Sequence, residues 1–358
     1  MTHRLKRNKI VMIAACLLSI SVLLGGCGSG QVSDSGAYAK GVEALEAGDY
    51  DAAMTQFKTA VDQDSRKAEA YRGEGIVYAR LGEFAGAVTM FERSLDAWKR
   101  SKSSDTAFCE DVQYYLAEAY ANCGRQGEAL GIYTELTDGL NPGRAYLMRG
   151  KAYTDWQDYD SAMADFDQVI ANDPSYENCI QIYEILAAAS RKADGASYLE
   201  YALESKISNK EDYYNQGLIY YYLGNYELAR KNLQTACDMG NLDAVILLGE
   251  VCIQNGDTPA AREAYQKVVN NEENRALAYN GLALCDIADE DYDAALQNIS
   301  KGLAENDPEV TESLLFNEIV VYERMLDFST ARDKMQAFAE QYPDNQEARR
   351  ENLFLKSR

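Results

Sequence analysis

Few side chains in this sequence are placed to do chemistry. The 358 residues include one histidine, His3. It sits beside the basic run Arg4, Lys6, Arg7 and Lys9. The rest of the chain lacks the imidazole that Ser-His-Asp and Cys-His nucleophiles, histidine general bases and His-ligated zinc require. The eight cysteines contain no C-x-x-C pair, so neither a dithiol redox motif nor a thiolate metal site is signalled. Six of them, Cys109, Cys123, Cys179, Cys237, Cys252 and Cys285, read either as thiols packed between helices or as exported cysteines able to pair. Asp289-Glu290-Asp291-Tyr292-Asp293 has the alternating carboxylates that open a calcium loop. The glycine that loop needs is Ala294 and its bidentate glutamate is Ser300, so two essential positions fail. Among 57 acidic residues no pair stands out for the carboxylate-only catalysis of, for example, a cell-wall enzyme. The expectation is a chain with no metal, no cofactor and no catalytic site.

One thiol has a context of its own. Ile10 to Leu24 is a 15-residue, mostly apolar stretch behind the basic run, and Leu24-Gly25-Gly26-Cys27 closes it. This segment resembles a signal peptide ending in the bacterial lipoprotein processing box. The resemblance implies cleavage before Cys27 and attachment to its thiol of one diacylglyceryl group, whose two acyl chains are such as palmitate. Residues 1–26 then leave the protein, and residues 27–36 form a short Gly/Ser tether to a membrane. Two acyl chains hold far more firmly than one, at about 0.8 kcal/mol per buried methylene. The competing reading, an uncleaved membrane helix, needs about 20 apolar residues, and the glycines end the run too early.

The elements behind these residues repeat. Ala53, Ala87, Ala129, Ala162, Ala196, Ala229, Ala261, Ala295 and Ala331 are separated by 34, 42, 33, 34, 33, 32, 34 and 36 residues. A period near 34 describes a short unit stacked on copies of itself. In one copy Tyr146, Gly150 and Tyr153 fall on one helical face, and Ala162 and Phe166 on a face of the next helix. Gly150 costs roughly 1 kcal/mol of helix propensity, which close approach of the second helix explains. Gly48, Gly82, Gly224 and Gly256 mark turns between paired helices. Pro142, Pro174, Pro308 and Pro343 fall between units, and Pro259 opens a helix.

This pattern of aromatic, Leu-Gly and Tyr, then Ala-x3-Phe, then Pro resembles the tetratricopeptide repeat. The resemblance implies an all-α, right-handed superhelical solenoid of about nine helix pairs over residues 37–343, with residues 344–358 as a capping helix and tail. Ser101 to Asp105 reads as a surface loop added between the second and third repeats. The fifth repeat departs from the pattern: Glu184 stands at the small position and Arg191 at the turn glycine. Residues 183–210 are therefore either a hinge or an ordinary drifted repeat.

A stacked array leaves surface for partners. In the family resembled here, first helices line a concave groove. In the sixth repeat Tyr213, Gly217 and Tyr220 form the core face, while Tyr214, Leu218 and Tyr221, with Tyr222 beside them, form a second apolar face. Equivalent positions carry Ile246, Ile253, Leu284 and Ile287, and also Tyr38, Tyr114 and Phe316. An extended or helical peptide is the expected ligand, unless inter-repeat packing consumes these side chains. The chaperone-tail clamp known in this family is missing, since Tyr38 and Val42, Tyr114 and Glu118, or Tyr214 and Leu218 stand in place of its Lys and Asn side chains.

Net charge is −22, and −26 (31 basic against 57 acidic) without residues 1–26. Such a surface disfavours nucleic acid and anionic lipid. It suits a basic partner, or simply keeps an exported protein soluble. The expected function is a membrane-anchored scaffold or adaptor on the extracytoplasmic face of a bacterial cell membrane. The alternatives are a lipoprotein assisting outer-membrane or pilus assembly in a two-membrane bacterium and, from a different class, a carboxylate-dependent cell-wall enzyme.

Overall fold

The computed structural model describes residues 36–272 and 274–342, and beyond them positions 345, 348, 351, 352 and 355. The lipidation motif, Cys27 included, lies outside the described residues. Among the described residues all regular structure is helical, and no helix is long and apolar enough to cross a membrane.

Two compact units divide the chain between Tyr198 and Leu199. In the first, helices pair as α1 (Ala37–Glu46) with α2 (Tyr50–Asp62), α3 (Lys67–Arg80) with α4 (Phe84–Ser101), α5 (Thr106–Asn122) with α6 (Gln126–Leu136), and α7 (Pro142–Asp155) with α8 (Tyr159–Asn172). Then follows α9 (Tyr176–Ala188), and α10 (Lys192–Ala202) carries the boundary. The second unit pairs α11 (Lys210–Tyr222) with α12 (Tyr226–Asp238), α13 (Asp243–Gln254) with α14 (Thr258–Val268), α15 (Arg275–Ala288) with α16 (Tyr292–Ala304), and α17 (Pro308–Arg324) with α18 (Phe328–Gln341).

Local chemistry explains the pairs. The residue five before each core alanine takes left-handed backbone, as at Gly48 (φ 75°) and Gly224 (φ 75°), where glycine meets no Cβ penalty. The next residue caps the second helix. Asp49, Asp158, Asn225, Asp257, Asp291 and Asp327 each accept the backbone N–H three residues on, at 3.0–3.3 Å. This disposes of the calcium-like run. Asp291 is a helix cap, Glu290 is the left-handed turn residue (φ 61°) and Asp289 binds Arg262 at 2.9 Å. Among the described residues no cluster of three His, Cys, Asp or Glu is placed to hold a metal ion. The six cysteines are all free thiols.

Packing follows the small-beside-large rule. Ala53, Ala87, Ala129, Ala162, Ala229, Ala261, Ala295 and Ala331 are fully buried, and the residue four on is a large buried one such as Phe57 or Phe166. Phe57 shows why first helices need glycine. Its ring lies 2.6 Å from where a Cβ on either Gly41 or Gly73 would stand, so it is held between its own first helix and the next.

The fifth repeat obeys the same rule one residue earlier than its alanine suggests. The left-handed residue is Ser190 (φ 63°), not Arg191. Gly195 rather than Ala196 is buried at the close approach, where a Cβ would sit 3.1 Å from Tyr183 Cα. The position opposite is Tyr183 rather than Glu184, a large residue where Gly150 stands in the fourth repeat, while fully buried Leu199 keeps the large position four after Gly195. The loop expected at Ser101 to Asp105 is also smaller than its extra residues imply. They lengthen α4 to 18 and α5 to 17 residues, because helix satisfies its own backbone hydrogen bonds where a long loop does not.

At the carboxyl end Ala348, Glu351, Asn352 and Leu355 are helical. Ala348 and Leu355 are buried with Phe316, Met335 and Phe338, which covers the apolar face of the last pair.

Candidate functional site

The sixth repeat supplies the first candidate surface. A capping box at Asn209 and Asp212 starts α11, and Gly217 turns toward Leu233 of α12, whose Cγ lies 2.6 Å from an added Cβ. That contact orients the other face of α11. Tyr214, Leu218 and Tyr221 are half-buried and pack against the core formed by α12 to α17. Tyr222 is half-buried with its ring 5.9 Å from that of Tyr221. Ile246 on α13 is also half-buried.

The remaining predicted positions are core. Ile253, Leu284 and Ile287 retain 9%, 5% and 6% of their exposure, and Tyr38, Tyr114 and Phe316 are similarly covered. The cause is a neighbour that a helical wheel omits. First helices of successive repeats touch, α11 with α13 and α13 with α15. At Ile253, Leu284 and Ile287 the position one residue on from the core face thus lies against a neighbouring first helix. Arginines complete the cover at two of them, with Arg66 over the Tyr38 ring and Arg144 over Tyr114 at 4.5 and 4.1 Å.

Tyr221 has a second task. Its hydroxyl donates to Glu250 Oε1 of α13 at 2.5 Å. Burial pushes the Glu250 carboxyl up to about 7, and the tyrosine hydrogen bond offsets only part of that cost. Tyr265, deeply buried, approaches Gly249 beside it at 2.5 Å from an added Cβ.

The first unit holds a cavity that sequence reasoning missed. It has a volume of about 330 Å³ and lies between α3, α4 and α5. Small side chains, Ala79 and Ala119, face it where larger ones would close it. Ile76, Phe84, Phe91 and Tyr115 give it apolar walls, with Tyr115 stacked on Phe91 at 5.5 Å between centroids and 16° between planes. Burial, reinforced by Asp111, pushes the Tyr115 phenol up to about 12, so it stays neutral. Three polar side chains, Arg80, Glu118 and Asn122, complete the lining. Burial raises the Glu118 carboxyl above the usual range, and Lys151 and Arg80 partly oppose this through their charge. Lys151 is already engaged, since its Nζ pairs with Asp155 at 2.8 Å. In the sequence Glu118 is visible only as a departure from the chaperone-tail clamp. The signal that could have marked it is a carboxylate between Ala117 and Ala119 on a first helix.

The molecule's likenesses agree with this architecture. A family model described as tetratricopeptide repeat matches residues 38–105, 214–280 and 254–310, and a second model of that description matches residues 143–176. Together they span more than half of the chain. A comparison with curated proteins finds no match. Among solved structures the chain is similar to yeast Tom70 at 15% identity, covering 84% of this chain and 76% of Tom70, with a TM-score of 0.47. It is similar to a tetratricopeptide repeat protein of Parabacteroides merdae at 16% identity, covering 70% and 97%, with a TM-score of 0.39. It is also similar to YrrB, described as a TPR protein with an unusual peptide-binding site, at 20% identity, covering 51% and 95%, with a TM-score of 0.34. Repeat by repeat, from capped turn to small-beside-large packing, this chain belongs to the tetratricopeptide repeat family.

Proposed function

We propose that this repeat protein is a scaffold that holds a protein or peptide partner along its first helices, tethered through lipid on Cys27 to the extracytoplasmic face of a bacterial cell membrane. The family is one of protein-interaction modules, and the chemistry-poor sequence assigns no catalysis. The observation that carries the binding reading is the open cavity of about 330 Å³, lined mostly by the first helices α3 and α5 with Phe84 and Phe91 of α4. Apolar walls with a few polar groups are how proteins build small recognition pockets. Half-buried Tyr214, Leu218 and Tyr222 offer the same kind of surface in the second unit. The tether rests on Leu24-Gly25-Gly26-Cys27 alone.

Site-specific photo-crosslinking in native membranes tests the scaffold. A benzophenone amino acid at Asn122, Tyr214 or Tyr222 should give discrete partner adducts. The same probe at Leu228, exposed on the second helix α12, should give none. Adducts from Leu228 alone would move the binding face to the second helices and overturn the proposal.

A further inference from the structure

We propose that the cavity between α3, α4 and α5 receives one cationic side chain, arginine or lysine, of an extended peptide partner, with the Glu118 carboxylate as its counter-ion. This rests on the first-helix surface being the partner-binding one, and it adds the chemistry of what is bound.

Four observations converge on it. The cavity is of side-chain size, too small for a helix and its backbone. Among the described residues the Glu118 carboxylate accepts no hydrogen bond, although it is half-buried in the cavity wall. A partly desolvated carboxylate at an open cavity is stabilised by a cation with N–H donors, whose charge-assisted hydrogen bonds are strong. The cation nearest in effect, Lys151, is held by Asp155. The remaining walls suit the rest of such a guest. Phe84 and Tyr115 supply aromatic lining suited to a guanidinium or ammonium, and Ile76 and Ala119 line an apolar path for its methylene stem.

The chain's charge of −22 attracts a basic peptide at long range. Arg80, exposed at the cavity, is the group that competes with the guest for Glu118. An anionic guest would reverse these roles, with Arg80 binding and Glu118 repelling, which makes the two guests separable by experiment.

The test uses the full chain in detergent and three fluorescent heptapeptides, Ala-Leu-Ala-X-Ala-Leu-Ala, in which X is arginine, citrulline or glutamate. Citrulline keeps the shape of arginine and removes its charge. Fluorescence anisotropy should show the arginine peptide binding at least tenfold more tightly than the citrulline one. Glu118→Gln should abolish that difference without lowering the melting temperature, and Arg80→Ala should widen it. Equal binding of arginine and citrulline peptides, or no binding of either, overturns the cationic receptor. Tightest binding of the glutamate peptide, lost in Arg80→Ala, overturns it in favour of an anionic guest. First-helix photo-adducts obtained alongside either result would leave the scaffold standing, so the two proposals fail separately.

Discussion

Glu250→Gln should flatten the pH dependence of the second unit's stability. The wild-type carboxyl titrates at about 7 when folded, against 4.5 for an unburied glutamate. Below 4.5 both states carry the proton and the group contributes nothing. Between 4.5 and 7 the unfolded chain releases it while the folded chain keeps it, so stability falls as pH rises. Above 7 the loss is complete. Two and a half units at 1.36 kcal/mol each set it at about 3 kcal/mol, a large share of any domain's stability. The groups that act on or sense the carboxyl are phenols, Tyr221 through its hydrogen bond and Tyr265 through the carboxyl's charge, and neither supplies positive charge. Glutamine accepts the Tyr221 hydrogen bond and has no proton to lose. Urea unfolding followed by circular dichroism at pH 5 and pH 8 measures the effect. Both tryptophans, Trp98 and Trp156, belong to the first unit, so their fluorescence serves as an internal control. The stability difference between mutant and wild type should grow in the mutant's favour by about 2.5 kcal/mol from pH 5 to pH 8, since the unfolded chain has already released part of its proton at pH 5. A difference that is the same at both pH values would refute the argument.

Gly150→Ala should destabilise despite better helix propensity, because its Cβ would stand 2.6 Å from Phe166 Cε1. Overpacking of about 1–3 kcal/mol outweighs a gain of about 1, and thermal melting should show Phe166→Leu restoring part of the loss. Leu326→Gly should stabilise by about 1 kcal/mol, since Leu326 holds left-handed backbone (φ 62°) with its side chain 72% exposed; a lower melting temperature would contradict this. Cys27→Ser should abolish metabolic lipid labelling and either release the protein from membranes or leave an unprocessed precursor; normal labelling would sink the anchor proposal. Limited proteolysis should cut first within residues 183–210, where large Tyr183 faces Gly195 and the chain divides into its two units. First cuts in the second or eighth repeat would argue against a hinge there.

The repeat itself was legible without coordinates because its causes are local. A left-handed turn wants glycine, a helix start wants Asp or Asn, and a close helix crossing wants a small residue opposite a large one. Each leaves a mark at a constant offset, so Gly48, Asp49 and Ala53 announce the turn, the cap and the core together. Where two small residues adjoin, the marks become ambiguous. Gly195-Ala196 offered either register, and only the backbone at Ser190 chose the earlier one.

Partner surfaces resisted the same reasoning. Helical periodicity tells which residues of α13 share a face but not which neighbour covers that face. Ile253, Leu284 and Ile287 looked like a ligand-binding stripe because the pattern of one helix contains no information about the next repeat's first helix. Glu118 looked like a mere absence of a clamp. Its place in a cavity depends on Ala79 two turns of chain organisation away in α3 and on Phe91 in α4. The sequence alone determined the family, the helix pairs, their caps and the lack of imidazole chemistry, since each is set by residues within one repeat. The tertiary structure decided which apolar side chains are core, where a cavity stays open and which carboxylates are dry, because burial is a property of several helices at once.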